Sequence, residues 1–481
     1  MNWRIVARLL GILMIVLALC MGTSLGWTVY YGEEGTTRAF LIGSAITMLA
    51  GIGLFYVGRR EAGTIGRREA LLVVTSSWLL IGVAGAAPYM LDGAFTNYAD
   101  AFFETVSGFT TTGSTVLTDI ESLSRGLHYW RTLTHWLGGM GIIVLFIAIF
   151  PQLGVGAKHL FKSEVPGPIT EGLKPKIRET ASTLWKIYLG LTALECGLLY
   201  WAGMDVFDAV CHSFATMATG GFSTRNASIG HYASVPVDLI VTLFMFLAGI
   251  NFSLYYLFLK GNFTALFRDR EFRVYAGLVA LATAAVTINI LTVHPDIRDA
   301  LRYGSFQVVA VTTTTGFGTD NFDLYPPFSK LLLVSLMFVG GSAGSTAGGM
   351  KVSRIMVVFK ASFIEIYKIF RPQAVRAVRL GRSVVGDGVT RSIFGFFAIA
   401  VVIFVLGSLF MGMLGLDIVT ATTSVVATLF NIGPGLARVG SIENFAFIPT
   451  AGKLFLSGCM ILGRLEFYTV LVLFVPDFWK R

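Results

Sequence analysis

The chain has 481 residues, of which 54% are hydrophobic and only 14% charged, with a mean hydropathy of +0.72. A soluble domain carries about a quarter charged residues, so the composition excludes an ordinary water-soluble fold and points to an all-α polytopic membrane protein. The formal charge of +9 is spread in blocks between apolar runs, the pattern of membrane topology rather than of a nucleic-acid surface.

Taken in chain order, the first two apolar runs, Ile5 to Leu25 and Phe40 to Val57, are each long enough to cross a bilayer. Arg4 and Arg8 give the first run the look of a secretory signal. Its length of about 20 residues and the second helix close behind it favour a retained anchor. Residues 1–60 are therefore expected to form two N-terminal transmembrane helices. Further spans are expected at Leu71 to Met90 and Ile393 to Met413. The basic blocks are Arg59, Arg60, Arg67 and Arg68, then Lys158 to Arg178, Lys260 to Arg273, and Lys351 to Arg391. They fall on alternate sides of the apolar runs, and the positive-inside rule assigns them and both termini to the cytoplasm. Cys20, Cys196, Cys211 and Cys459 lack CxxC spacing and read as small buried hydrophobes.

Four polar strips interrupt this pattern: "DAFFETVSGFTTTGST" at 100–115, "DAVCHSFATMATGGFST" at 208–224, "FQVVAVTTTTGFGTD" at 306–320 and "TSVVATLFNIGPGLA" at 423–437. Each lies between two long apolar helices. Each comprises a short amphipathic stretch of about 10 to 14 residues, too short to span, that ends at a glycine: Gly113, Gly221, Gly316 and Gly433. The units are placed at 70–150, 183–260, 272–370 and 391–475. Non-helical backbone at membrane depth requires burial in protein or a water-lined cavity, and four copies around a pseudo-fourfold axis supply one. The strips offer backbone carbonyls, several add threonine hydroxyls, and the glycine-centred parts carry no carboxylate. Rings of carbonyl oxygens replace the hydration shell of a monovalent cation, and half-helix C-termini aimed at the cavity favour positive charge. The bland alternative is small-residue helix packing; recurrence at matching places in four units argues against it.

At these strips the chain resembles the Trk/Ktr/HKT superfamily of potassium transporters, and most closely its bacterial Trk branch. Further stretches carry the resemblance: "GGMGIIVL" at 138–145, "GGSAGSTAGGMKV" at 340–352, "FNIGPGL" at 430–436 and "GRLEFYTVLVLF" at 463–474. It spans essentially the whole chain, and the two extra N-terminal helices fit the Trk branch. The resemblance implies four helix–pore-loop–helix repeats around a central pore. It implies potassium-binding filter positions Thr111, Thr112 and Gly113; Thr219, Gly220 and Gly221; Thr314, Thr315 and Gly316; and Asn431, Ile432 and Gly433. Glycine in all four repeats implies potassium over sodium, since sodium-selective relatives place serine in the first. It also implies rubidium as a second permeant ion, a homodimer, a cytoplasmic nucleotide-binding regulatory subunit, and a bacterial inner-membrane location. By this resemblance potassium is expected to be the transported ion, with no organic cofactor and no enzymatic activity.

The segment 340–351, with Gly340, Gly341, Gly344, Ser345, Gly348 and Gly349, breaks the helix after the third strip. It reads as an intramembrane loop beneath the filter, which the resemblance makes a gate; the alternative is a kinked helix. Lys351 does not follow a glycine as a phosphate-binding loop demands. Arg464 is a charge inside the last apolar run, costly unless it faces a cavity or a partner. The resemblance places it in the pore as an electrostatic barrier; the alternative is an arginine satisfied by buried carbonyls. Glu195, mid-run in "LTALECGLLYW", either relays protons or pairs within the bundle, and it is the one feature favouring a symporter coupled to protons or sodium. An intramembrane hydrolase would need a nucleophile and base, for which only adjacent His212 and Ser213 offer themselves.

Overall fold

The structure, a computed structural model, describes residues 1–59, 65–141, 177–374, 376–381 and 383–480. The end of the first expected unit, 142–150, and most of the basic block from Lys158 lie outside the described residues.

The apolar runs fold as helices because a backbone in hydrocarbon must satisfy its own hydrogen bonds. Trp3–Tyr30 and Glu34–Gly58 form an N-terminal hairpin. A Cβ on Gly11 would stand 2.6 Å from the Gly51 carbonyl oxygen, the close backbone approach that small residues give in lipid, where apolar side chains gain little by leaving the solvent. The turn of this hairpin reaches into the first repeat. The Glu33 carboxylate accepts from the backbone N–H groups of Arg125 (2.6 Å) and Gly126 (3.0 Å), at the positive end of helix Arg125–Gly139.

Each repeat opens with a long helix: Arg67–Gly85, Ile177–Trp201, Arg270–Ile290 and Asp387–Met413. Among the described residues five helices are long and apolar enough to cross a membrane, or up to seven if each bent pair counts once. The half-helices are Tyr98–Phe109, Val206–Met217, Ile297–Thr312 and Ile418–Leu429, of 12, 12, 16 and 12 residues. Each is started by a side chain that accepts a backbone N–H: Asn97, Asp205, Asp296 and Asp417. The third, at 16 residues, exceeds the other three by four residues, about one turn, yet at ~1.5 Å per residue it is still short of a ~30 Å core.

The helices after the strips are Arg125–Gly139, Val235–Ala248, Pro327–Val339 and Thr450–Arg464. The sequence suggested a break only in the third; the second and fourth are broken too. Val235–Ala248 turns by 95° into Phe252–Leu259, and Thr450–Arg464 turns by 108° into Tyr468–Phe474. The breaks fall at "GIN" and "LEF", and neighbours take up freed backbone groups: Ser342 N–H donates to the Gly249 carbonyl (2.9 Å), and Phe252 N–H to that of Gly344 (3.0 Å). The one β structure among the described residues is a two-stranded hairpin, Arg379–Leu380 with Ser383–Val384, in the last basic block.

Candidate ion-conduction site

The four strips share one backbone conformation. One residue after the half-helix keeps a negative φ; the next is left-handed: Thr111 (φ 53°), Thr219 (54°), Thr314 (58°) and Asn431 (56°). Two residues later comes a glycine with positive φ: Gly113 (83°), Gly221 (81°), Gly316 (75°) and Gly433 (104°). Between them, the N–H of Thr112, Gly220, Thr315 or Ile432 reaches back to the carbonyl of Ser107, Ala215, Ala310 or Ala427, at 2.8–2.9 Å. This is the six-to-one bond of a Schellman helix end, whose left-handed residue is ordinarily glycine or asparagine. Three threonines occupy it here, and a β-branched residue at positive φ costs roughly 1–3 kcal/mol. Their hydroxyls are tied down. Thr111 Oγ1 accepts from Arg464 (3.2 Å), Thr314 Oγ1 accepts from Gly348 N–H (2.6 Å), and Thr219 Oγ1 donates to the Ala218 carbonyl (2.6 Å).

The glycines close the strips into a ring. A Cβ on Gly113 would overlap the carbonyl oxygen of Gly220; on Gly221, that of Thr315; on Gly316, that of Ile432. On Gly433 it would stand 2.7 Å from that of Thr112, the widest of the four approaches. Each strip thus leans on the next in the order one, two, three, four, one. The carbonyls of Thr111, Thr112, Thr219, Gly220, Thr314, Thr315, Asn431 and Ile432 accept no hydrogen bond among the described residues. Buried carbonyls are otherwise almost always paired. One cavity is lined by Gly113, Gly221, Gly316 and Gly433 together; another is lined by Asn431, Gly348 and Arg464. The ring lies between them.

Two details of the site go beyond the sequence reading. The threonine hydroxyls at the expected filter positions are all hydrogen-bonded: besides the three above, Thr112 Oγ1 bonds Thr110 Oγ1 (2.7 Å) and Asn431 Nδ2 (2.9 Å), and Thr315 Oγ1 bonds Thr313 Oγ1 (2.8 Å). Arg464, inside the last apolar run, is the last residue of Thr450–Arg464, at the 108° bend. There its guanidinium donates to the carbonyls of Gly138, Gly139 (3.0 Å) and Thr346 (3.1 Å). The carboxylate of Glu466, two residues on, pairs with Arg354.

Segment 340–351 is a loop throughout, not a kinked helix. Gly340, Gly344 and Gly349 each take φ 74°, and Ser345 Oγ bonds the Ser342 carbonyl (2.6 Å). A Cβ on Gly341 would stand 2.7 Å from that of Ala347. Besides Gly348 on Thr314, Gly349 N–H donates to the Phe430 carbonyl (3.1 Å), and Glu271 Oε1 accepts from Ala343 (2.8 Å) and Ser353 (3.0 Å) across the loop's ends. Glu195 is fully buried, with neither oxygen hydrogen-bonded among the described residues; the Thr216 hydroxyl beside it donates instead to the His212 carbonyl. His212 bonds Ser223, while Ser213 donates to Val210, so the adjacent His212 and Ser213 are not paired with each other. Sequence reasoning passed over Glu104 and Arg131, a fully buried ion pair. The signal was present as a carboxylate inside an apolar half-helix.

Membrane-length helices, half-helices ending in one repeated turn, and a ring of carbonyls that accept no hydrogen bond among the described residues are the features of a polytopic membrane protein. A family model described as cation transport protein, TrkH, matches residues 36–481. The chain is 39% identical to the Trk system potassium uptake protein TrkH of Escherichia coli K12 and 39% to that of Halomonas elongata, covering 100% of each chain. It is 34% identical to TrkG of Escherichia coli K12. It superposes on the crystal structure of the potassium transporter TrkH from Vibrio parahaemolyticus with a TM-score of 0.89 at 34% identity, over 100% of both chains. The chain belongs to the TrkH family of cation transport proteins.

The ring geometry yields an ordering of variants. Gly221→Ala or Gly316→Ala forces a methyl into a backbone oxygen and is expected to cost about 1–3 kcal/mol, as overpacking does. Gly433→Ala, at the wider approach, is expected to cost less. Thermal melting of the detergent-purified protein checks this; equal losses at all three positions would refute the ordering.

Proposed function

We propose that this chain takes up potassium across a bacterial cytoplasmic membrane, through a selective, gated, channel-like pore. One observation carries the reading: eight buried carbonyls that accept no hydrogen bond among the described residues, arranged around a ring flanked by cavities. Oxygen ligands without formal charge suit a large, weakly hydrated monovalent cation, whose water shell they replace. A divalent ion would ordinarily draw carboxylates, and an anion would want donors. The relatives' names point the same way, since those proteins are Trk system potassium uptake proteins and a potassium transporter. The four strips are the filter, with Thr111 to Gly113, Thr219 to Gly221, Thr314 to Gly316 and Asn431 to Gly433 as the coordinating positions. Loop 340–351, with Gly340, Gly341, Gly344, Ser345, Gly348 and Gly349, is the gate beneath it. Arg464, bonded to Thr111 and to the loop's Thr346, holds that gate against the filter and sets a positive charge beside the path. Rubidium passes as well. The protein works as a homodimer in the inner membrane, with both termini cytoplasmic, and is controlled by a cytoplasmic nucleotide-binding regulatory subunit.

A second reading, a symporter coupled to protons or sodium, is favoured by the buried carboxylate of Glu195, which has no hydrogen-bond partner among the described residues. Flux into liposomes containing only this chain separates the two. Uptake that follows the potassium gradient alone supports the channel; uptake that needs a second ion gradient supports the symporter.

Three variants test the parts in that assay. Gly113→Ser places a side chain on the Gly220 carbonyl. Displacing that ligand by the equivalent of ~1.4 kcal/mol lowers potassium over sodium preference about tenfold; an unchanged ratio with persisting flux would remove Gly113 from the filter. Shortening loop 340–351 is expected to raise potassium flux without any regulatory subunit, and a folded protein with equal or lower flux counts against the gate. For Arg464, a fixed charge at ~5 Å and an effective dielectric of ~20 repels a cation by roughly 3 kcal/mol at most. Even a third of that changes flux about fivefold. Arg464→Ala is thus expected to raise rubidium uptake and Arg464→Lys to change it less; a folded alanine variant no faster than wild type makes the arginine structural.

A further inference from the structure

We infer that Arg131 is a positioning residue for selectivity, holding the corner of the ring where the first strip meets the second. The inference rests on the reading of the ring as an ion filter. Arg131 lies on helix Arg125–Gly139 and is 1% exposed; Glu104, on the first half-helix, is 0% exposed. Arg131 Nε donates to Glu104 Oε1 at 2.6 Å. The same carboxylate accepts from Thr115 Oγ1 (2.9 and 3.0 Å) and from Val116 N–H (2.9 Å), so it grips the chain just past Gly113. Through its other arm, Arg131 donates to the Ser223 carbonyl at 2.8 Å, and its guanidinium stands 3.7 Å from the centre of the Phe222 ring. Those two residues follow Gly221. One arginine therefore connects the exits of two adjacent strips.

The next turn of the same helix repeats the connection. His135 Nδ1 faces the Gly108 carbonyl at 2.7 Å, its Nε2 accepts from Phe222 N–H at 3.2 Å, and its ring stacks on Phe222 at 4.1 Å. These partners assign the proton to Nδ1. The ring also fills the space beside Gly220, where a Cβ would come within 2.5 Å of it. Arg131 and His135, four residues apart on one helix face, thus fix Gly220 and Phe222 relative to the first half-helix. Gly220 supplies the carbonyl that Gly113 leans on.

The Arg131–Glu104 ion pair lies within the first repeat; among the described residues the ion pairs between repeats are Arg125–Asp208, Asp238–Arg302, Arg354–Glu466 and Lys453–Asp100, and they are placed differently. Asp238–Arg302 and Lys453–Asp100 join the first turns of Val235–Ala248 and Thr450–Arg464 to half-helices. Arg131 stands a turn deeper in its helix, and it lines the cavity that all four filter glycines share. A buried pair contributes little net stability compared with apolar residues of like volume. What this pair supplies is directional: a planar fork that holds a carboxylate and a carbonyl at a set spacing. Lysine keeps the charge and cannot hold both acceptors in that geometry.

The experiment is rubidium uptake into liposomes by Arg131→Lys and by the double variant Glu104→Gln/Arg131→Gln, competed with potassium and with sodium, at matched protein density and with melting temperatures recorded. Gly113→Ser serves as the filter reference. The expected result is at least a threefold loss of potassium over sodium preference in either variant while uptake persists. A preference within threefold of wild type, with flux and melting temperature falling together, makes the bracket a folding element and overturns the inference. Failure of both variants to assemble in the membrane overturns it likewise. If Gly113→Ser shifts the preference and the Arg131 variants do not, this inference alone falls. If none of the three shifts it, the filter reading falls with it.

Discussion

The structure depends on the approach of four glycines to four backbone oxygens. No strip completes its own surroundings: the space in front of Gly113, Gly221, Gly316 and Gly433 is taken by the carbonyl of the following repeat. Any side chain there would push that oxygen away or pivot the strip that carries it. The positive φ at each glycine adds a second, independent reason for the residue type. The corner where the chain's last strip returns to its first is the widest of the four, and the departure of the fourth strip from threonine makes sense there. Asn431 tolerates the left-handed turn, and its amide donates across the gap to Thr112 Oγ1 (2.9 Å) and to the Met460 carbonyl (3.0 Å).

On the far side of the ring from the glycine-lined cavity, loop 340–351 and Arg464 meet the strips through hydroxyls. Thr314 receives a loop N–H, Thr111 receives the guanidinium, and the guanidinium also reaches the loop at Thr346. In ring order these are the third and first strips, facing one another. The two contacts use the left-handed threonines, the residues that pay for their conformation and therefore need external partners. Loop and ring thus share hydrogen bonds, and moving the loop removes supports from two strips at once.

Much of this was legible from sequence. The four strips announced themselves because threonine–glycine runs are foreign to apolar helices, and the glycine at each end marked the residue that closes the ring. Segment 340–351 was legible as a loop for the same reason. The broken second and fourth helices were not, because "GIN" and "LEF" hold one glycine between them and lie in otherwise apolar runs. The use of the threonine hydroxyls was also hidden, since composition shows how many oxygens a strip carries and not which way they turn. Arg464 announced itself as a buried charge, but its neighbours Gly138, Gly139 and Thr346 come from distant chain segments. Glu104 and Arg131 are 27 residues apart, on different helices, and no local pattern joins them. One local signal went unused: the Asn or Asp that starts each half-helix stands 16 residues before the glycine in "NYADAFFETVSGFTTTG", and equally in the second and fourth strips.

The third half-helix departs from that spacing by four residues, and all of them are added at its start: from the last helical residue to the glycine, every strip counts the same. Four residues advance a helix by ~400°, one revolution and ~40° more, over ~6 Å. The insertion therefore reproduces nearly the same facing and transmits almost nothing to the ring. Two or six extra residues would have swung the starting Asp296 to the opposite side. Length at this end of a half-helix is thus tolerated in whole turns, and the third half-helix carries its surplus at the end away from the ring.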